Sequence, residues 1–109
     1  EADALLISYA EHNGSYTVAY KNLFDWASRK KLEVYQGKPI IMLSTSPGAG
    51  GAKSVLSAAV GSAHFFVGKV MASLSVPEFY KNFHRDKGVI TNPDLAAQLD
   101  ETLSALQQA

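Results

Sequence analysis

Two stretches of this 109-residue chain bring together residue types that can do chemistry. Ala10-Glu11-His12-Asn13-Gly14-Ser15-Tyr16 sets a carboxylate, an imidazole and a carboxamide beside a glycine. Ser44-Thr45-Ser46-Pro47-Gly48-Ala49-Gly50-Gly51 sets hydroxyls against glycines. His12 is the histidine best placed to meet a ligand. His64 lies beside Phe65 and Phe66 and reads as a core or rim residue, and His84 follows an aromatic turn and reads as surface. The histidines have no metal-ligand spacing, so no metal site is expected. Glu11 has the chemistry of a base, but a lone carboxylate is more often simply solvated. No nucleophile–base pair can be identified, so no side chain is assigned a catalytic role. A reaction at these loops needs a cofactor to carry it.

The glycine loop fails three familiar patterns on its residues. A phosphate-binding P-loop ends in Gly-Lys-Ser/Thr, but Ala52 precedes Lys53-Ser54, and Pro47 stands where the first glycine belongs. A dinucleotide fingerprint needs a third glycine at Lys53. A nucleophile elbow around Ser46 needs a glycine at Ser44. What remains is a flexible loop feeding a helix N-terminus, whose free N–H groups suit an anion or an electron-rich ring edge.

The elements that position these loops follow from hydrophobic spacing. Ala4–Ser8 and Ile40–Leu43 are nearly continuous apolar runs, the pattern of parallel strands buried on both faces. Val70–Leu74 reads as a third strand. Thr17–Arg29 has helical spacing with two apolar stripes, Ala19/Leu23/Trp26 and Tyr16/Tyr20/Phe24. The second stripe suggests that Tyr20 or Phe24 meets another subunit. Asn13 and Ser15 are candidate caps for this helix. A second helix is expected over roughly Ala52–Phe65, a single helical turn over Glu78–Phe83, and a last helix opened by Asn92-Pro93 and striped by Leu95, Leu99, Leu103 and Leu106. Strands alternating with helices mean a parallel sheet with helices on both faces. The Ala10–Gly14 and Ser44–Gly48 loops then emerge side by side at the carboxyl end of that sheet, where open α/β sheets bind ligands.

Composition limits the partners. The length suits one domain, and 47% hydrophobic residues suit a globular core. Ten basic and ten acidic residues cancel to a net charge of zero, with no basic patch, so neither nucleic acid nor an anionic membrane is expected. No apolar run approaches a membrane span. The absence of cysteine excludes disulfides and thiol catalysis. With no signal-peptide pattern, a cytoplasmic location is expected.

Together the two loops resemble the NAD(P)H-dependent FMN reductase family of flavodoxin-like proteins. Glu11-His12-Asn13-Gly14-Ser15, then Lys21-Asn22 and Asp25-Trp26-Ala27-Ser28, stand where that family reads Pro-Glu-Tyr-Asn-Gly-Ser, Lys-Asn and Asp-Trp. Gly37-Lys38-Pro39 leading to Ser44-Thr45-Ser46-Pro47-Gly48 is similar to its next strand and loop, and Leu74–Phe83 to its final strand and turn. Ala10 replaces the usual proline and His12 the usual tyrosine, both in the flavin-facing loop.

The resemblance implies a flavodoxin-like α/β three-layer sandwich with a parallel sheet. Residues 1–109 correspond to its C-terminal part, without the N-terminal strands and their phosphate-binding loop. It implies an oxidoreductase that passes hydride from NAD(P)H through FMN to a quinone, azo dye, metal ion or free flavin. The implied cofactor-binding residues are Ala10, Glu11, His12, Asn13, Gly14, Ser44, Ser46 and Gly48. The implied assembly is a homodimer or homotetramer, with the missing N-terminal segment or a second chain covering the edge at Ala4–Ser8. The alternatives are a truncated, non-catalytic flavodoxin-like fragment and a flavodoxin-type electron carrier.

Overall fold

The computed structural model describes residues 2–108. Its centre is a parallel three-stranded sheet of β1 (Leu5–Tyr9), β4 (Pro39–Thr45) and β5 (Lys69–Val76), in the order β1-β4-β5. Between the first two lie a short antiparallel ribbon, β2 (Glu11–His12) with β3 (Ser15–Tyr16), and helix α1 (Val18–Lys30). Helix α2 (Lys53–Ser62) joins β4 to β5. After β5 come α3 (Phe79–Asn82), a second ribbon of β6 (Phe83–His84) with β7 (Val89–Ile90), and α4 (Pro93–Ser104). The expected parallel sheet is present. The first ribbon lies where a polar loop is expected, and the second begins at Phe83, the last residue of the expected helical turn.

Ile40 and Met42 form one buried cluster with Tyr9, Tyr35 and the α2 residues Val55, Leu56 and Ala59. Tyr20 and Phe24 of α1 pack against it. Strand alternation points Ile41 to the other face. There α4 covers the sheet, with Ala96 and Leu99 facing Thr45 and Val76 across a cleft. Helices therefore lie on both faces, as expected.

Burial of β1 on both faces is not observed. Leu5 and Ile7 are half-buried and Tyr9 is buried, whereas Leu6 and Ser8 are exposed. The inner residues meet the cluster beneath α1 and α2. Leu6 faces the other side, where α4 lies toward β5.

The stripes of α1 are also assigned differently. Tyr16, Tyr20 and Phe24 turn inward, and Leu23 and Trp26 face solvent. The Tyr20 hydroxyl bonds those of Tyr9, at 3.2 Å, and Tyr35, at 2.9 Å. A phenol placed against an apolar cluster needs such a partner. Phe24 meets Phe66 edge to face, with ring centroids 4.7 Å apart. Tyr20 and Phe24 thus pack within this chain, where both are half-buried. The cap of α1 is Thr17, whose Oγ1 accepts the Tyr20 N–H at 3.1 Å. Asn13 and Ser15 do not cap it, because both are engaged in the ribbon.

The helix expected to reach Phe65 ends at Ser62 and tightens into a 3₁₀ turn, Ala63–Phe66. Its three-residue period turns Ala63 and Phe66 inward and leaves His64 and Phe65 at the surface. His64 is therefore not a core residue. His84 is exposed, as read. Asn92 caps α4 as expected, accepting from the N–H groups of Asp94 and Leu95.

Candidate functional site

Tyr9 of β1 lies opposite Ser44 of β4, so the segments after these parallel strands emerge together at the carboxyl end of the sheet. After β1 the chain turns back at once as the Glu11–Tyr16 ribbon. Asn13 (φ 53°) and Gly14 (φ 81°) form its two-residue turn. Positive φ at both central residues is the hairpin turn whose twist suits the strands, and Asn-Gly is its preferred pair. Glu11 pairs with Tyr16 and His12 with Ser15, so each pair shares a face of the ribbon. Glu11 and Tyr16 are half-buried, and His12 and Ser15 are exposed.

Both inward residues are anchored. The Tyr16 ring stacks on Tyr20 at 5.4 Å and lies 6.2 Å from Tyr9. Glu11 reaches α2, where its Oε1 accepts the N–H of Val55 at 2.7 Å. A carboxylate on a free N–H in the first turn of a helix is a charge-assisted cap, favoured by the helix dipole. The sequence reading left this helix end open for an external anion. Instead Lys53 N–H donates to Gly50, Leu56 N–H to Ala52, and Glu11 takes Val55.

The glycine loop is pinned through its carbonyls. Ser44 Oγ and Ser75 Oγ both donate to the Gly51 carbonyl, at 2.7 and 2.8 Å. The N–H groups of Glu78 and Phe79 donate to the carbonyls of Gly48 and Ser46, at 2.8 and 2.9 Å. Ser46 Oγ turns back to the Gly48 carbonyl. In a trans peptide the N–H points opposite to the C=O. Holding the Gly48 carbonyl inward therefore aims the Ala49 N–H outward. Gly48, Ala49 and Gly50 are exposed, and their N–H groups donate to no group among the described residues. Asn13, Ala52 and Glu78, three non-glycine residues with positive φ, all stand at this end of the sheet. Such conformations cost about 1–3 kcal/mol each and concentrate at functional sites.

The proposed contact residues thus differ in what they offer. Ala10, His12, Asn13, Gly14 and Gly48 are exposed. Glu11 and Ser44 are spent on the architecture, and the Ser46 side chain turns back on its own loop. Ser75 and the backbone of Glu78 were missed. The signal for Ser75 was a serine near the carboxyl end of its strand, level with Ser44.

NADPH-dependent FMN reductase is the family that matches, over residues 1–81. The chain belongs to this family. An NADPH:quinone oxidoreductase of Arabidopsis thaliana is 43% identical over 54 residues, half of this chain and 27% of that protein. An NAD(P)H:quinone oxidoreductase of Solanum tuberosum is 34% identical across 98% of this chain and 56% of that protein. The chain thus spans little more than half the length of the curated relatives it matches. In fold it is similar to FerB, a flavoenzyme NAD(P)H:(acceptor) oxidoreductase from Paracoccus denitrificans, with a TM-score of 0.78 and 24% identity over 98% of this chain and 62% of that one.

The donor set suits one part of the flavin that this family's name implies. Outward N–H groups and an exposed carboxamide fit the hydrogen-bonding edge of a flat ring. The first turn of α2, where a phosphate would otherwise bind, already holds the Glu11 carboxylate.

Proposed function

We propose that this chain forms the ring-binding part of an FMN-dependent NAD(P)H oxidoreductase of the flavin or quinone reductase type. The observation that carries the reading is the pinned glycine loop of a family member, with its amides turned out at the same sheet end as the Asn13-Gly14 turn. FMN bound there supplies the redox chemistry, taking hydride from nicotinamide and passing reducing equivalents to an acceptor. Asn13, Gly14 and the N–H groups of Gly48–Gly50 hold the polar ring edge, with Ala10 and His12 flanking it. Their donors favour negative charge there, because dipoles fixed in place need no reorganisation as charge develops. Glu11, Ser44 and Ser46 shape the loops that present these groups.

A second reading concerns the 109 residues by themselves. With the Val55 N–H in the first turn of α2 taken by Glu11, the described residues offer no phosphate seat at these loops, and tight FMN binding needs the charge-assisted contacts that a phosphate makes. This stretch alone is then a non-catalytic flavodoxin-like fragment. The net charge of zero disfavours a flavodoxin-type electron carrier. The proposed assembly is a homodimer or homotetramer, and the exposed Leu23 and Trp26 of α1 are the surface that favours it.

The test is a flavin titration of the full-length protein, followed by NAD(P)H oxidation with a quinone acceptor. Stoichiometric FMN and turnover support the reading, and a full-length protein that takes up no flavin overturns it. Stoichiometric FMN on the 109-residue polypeptide alone overturns the second reading.

A further inference from the structure

We propose that Glu11 is a positioning residue, which latches the Asn13-Gly14 turn to the glycine loop so that both present their donors to the same flavin edge. The inference rests on the flavin reading above.

The argument starts from what each loop is fastened to. The glycine loop is held from beneath and from β5, by Ser44, Ser75, Glu78 and Phe79. None of these contacts fixes it relative to the ribbon. The ribbon is held by its Tyr16 ring, a stacked contact that tolerates sliding. The directional link is the Glu11 carboxylate on the Val55 N–H at 2.7 Å, spanning 44 residues of sequence. Val55 is itself fully buried, so its backbone is a rigid anchor. Glu11 stands two residues before Asn13. Val55 stands four residues after Gly51, whose carbonyl ends the pinned loop. The β1–β4 pairing brings the two segments out together, and this charge-assisted bond adds the directional tie between their donor groups.

The bond also has an electrostatic consequence. It fills the first turn of α2 with the protein's own negative charge, so that helix end does not draw the cofactor's phosphate. Positioning and exclusion follow from one carboxylate.

The experiment uses the full-length protein with Glu11→Ala, Glu11→Gln and Leu95→Ala variants, titrated with FMN and with riboflavin. Riboflavin lacks the phosphate and reports the ring contacts alone. Loss of the latch in Glu11→Ala is expected to weaken both flavins by the same factor, roughly fivefold to tenfold, the size of a lost helix cap. The visible band of its bound flavin is expected to shift toward that of free flavin. Glu11→Gln still offers a carbonyl to Val55 N–H and is expected to recover most of the affinity and the band position. Leu95 is buried on α4, across the sheet from Glu11. Its truncation lowers stability at least as much and is expected to leave both flavin readouts unchanged. If Glu11→Ala binds both flavins as the parent does, with the same spectrum, the latch is refuted while the flavin reading stands. If Leu95→Ala reproduces the Glu11→Ala changes, the effect is general destabilisation and the proposal also falls. A parent protein that binds neither flavin overturns the reading beneath it.

Discussion

Leu6 of β1 and Ile41 of β4 are register partners on the same face of one sheet, yet Ile41 is fully buried and Leu6 is 56% exposed. Their strands look alike as sequence, LLISY against PIIMLST, both apolar with little alternation. The difference lies in what covers them. The last helix lies over β5, the 3₁₀ turn that follows it (Ala105–Gln108) lies over β4 and β5, and both leave Leu6 outside. Continuous apolar patterning reports the environment a strand is suited to, and burial reports whether that environment is supplied.

The largest expected effect breaks the comparison at its buried end. Ile41→Ala removes a fully buried side chain between packed layers. The cost is the lost transfer energy plus a cavity, about 3–4 kcal/mol. Chemical denaturation of the 109-residue chain measures it, and a loss below about 1 kcal/mol would mean that α4 closes onto the sheet differently.

The loops after the two strands extend the contrast. Gly51, below β4, has φ 62°, and an added methyl group would collide with Ser75 Oγ and crowd Pro77. Gly14, at the turn beyond β1, has φ 81° and open space around it. Both substitutions to alanine meet the left-handed backbone penalty, about 1 kcal/mol. Gly51→Ala adds the collision and is expected to cost about 2–3 kcal/mol in all, with Gly14→Ala near 1. Equal losses at the two positions would show that the glycine loop yields, and the outward aim of its amides would lose its support.

Tyr9 tests the inner face of β1. Burial, reinforced by its bonds with Tyr20, holds its hydroxyl proton far above the ordinary phenol range, and burial raises Tyr20 in the same direction. In the unfolded chain both phenols ionise near pH ~10. Above that pH the folded state keeps protons that the unfolded state releases. Stability from these groups is therefore complete below pH ~10 and is lost as pH rises beyond it. Denaturation midpoints between pH 8 and pH 11 should fall in the upper part of that range, and Tyr9→Phe should flatten the fall. A parent midpoint that is flat to pH 11 refutes the buried hydroxyl chain.

Much of this architecture was legible in the sequence, and the failures have physical causes. Strand identity, the parallel order and the Asn92-Pro93 start of α4 follow from periodicity and capping chemistry, which are local. The Asn13-Gly14 hairpin was also local, since that pair between short polar runs is a turn signal. Asn13 and Ser15 are also residue types that cap a helix, so the same stretch equally suits a helix start. The inward stripe of α1 was not legible, because both stripes are apolar and only the hydroxyl partners at Tyr9 and Tyr35 decide between them. The Glu11–Val55 bond and the paired serines under Gly51 depend on contacts between distant segments. A lone carboxylate or serine in sequence does not announce such a partner.

The smallest expected effect belongs to Leu6, and it is the most informative about the open face. Half-exposed leucine has already left part of its surface in water, and truncating it creates no enclosed cavity. Transfer energy scales with the apolar area removed from water. Leu6→Ala should therefore cost about 0.5 kcal/mol in the 109-residue chain, several times less than Ile41→Ala on the same face. The pair of measurements is then repeated in the full-length protein. If a further segment or a second copy covers β1 there, Leu6 gains neighbours, and its truncation should cost about 2 kcal/mol or more. Ile41 is already fully enclosed, so its cost should hold nearly constant between the two chains. A Leu6 effect that stays near 0.5 kcal/mol in the longer protein would mean that this face of β1 remains open to solvent, and that an apolar strand here carries a leucine for a reason other than burial.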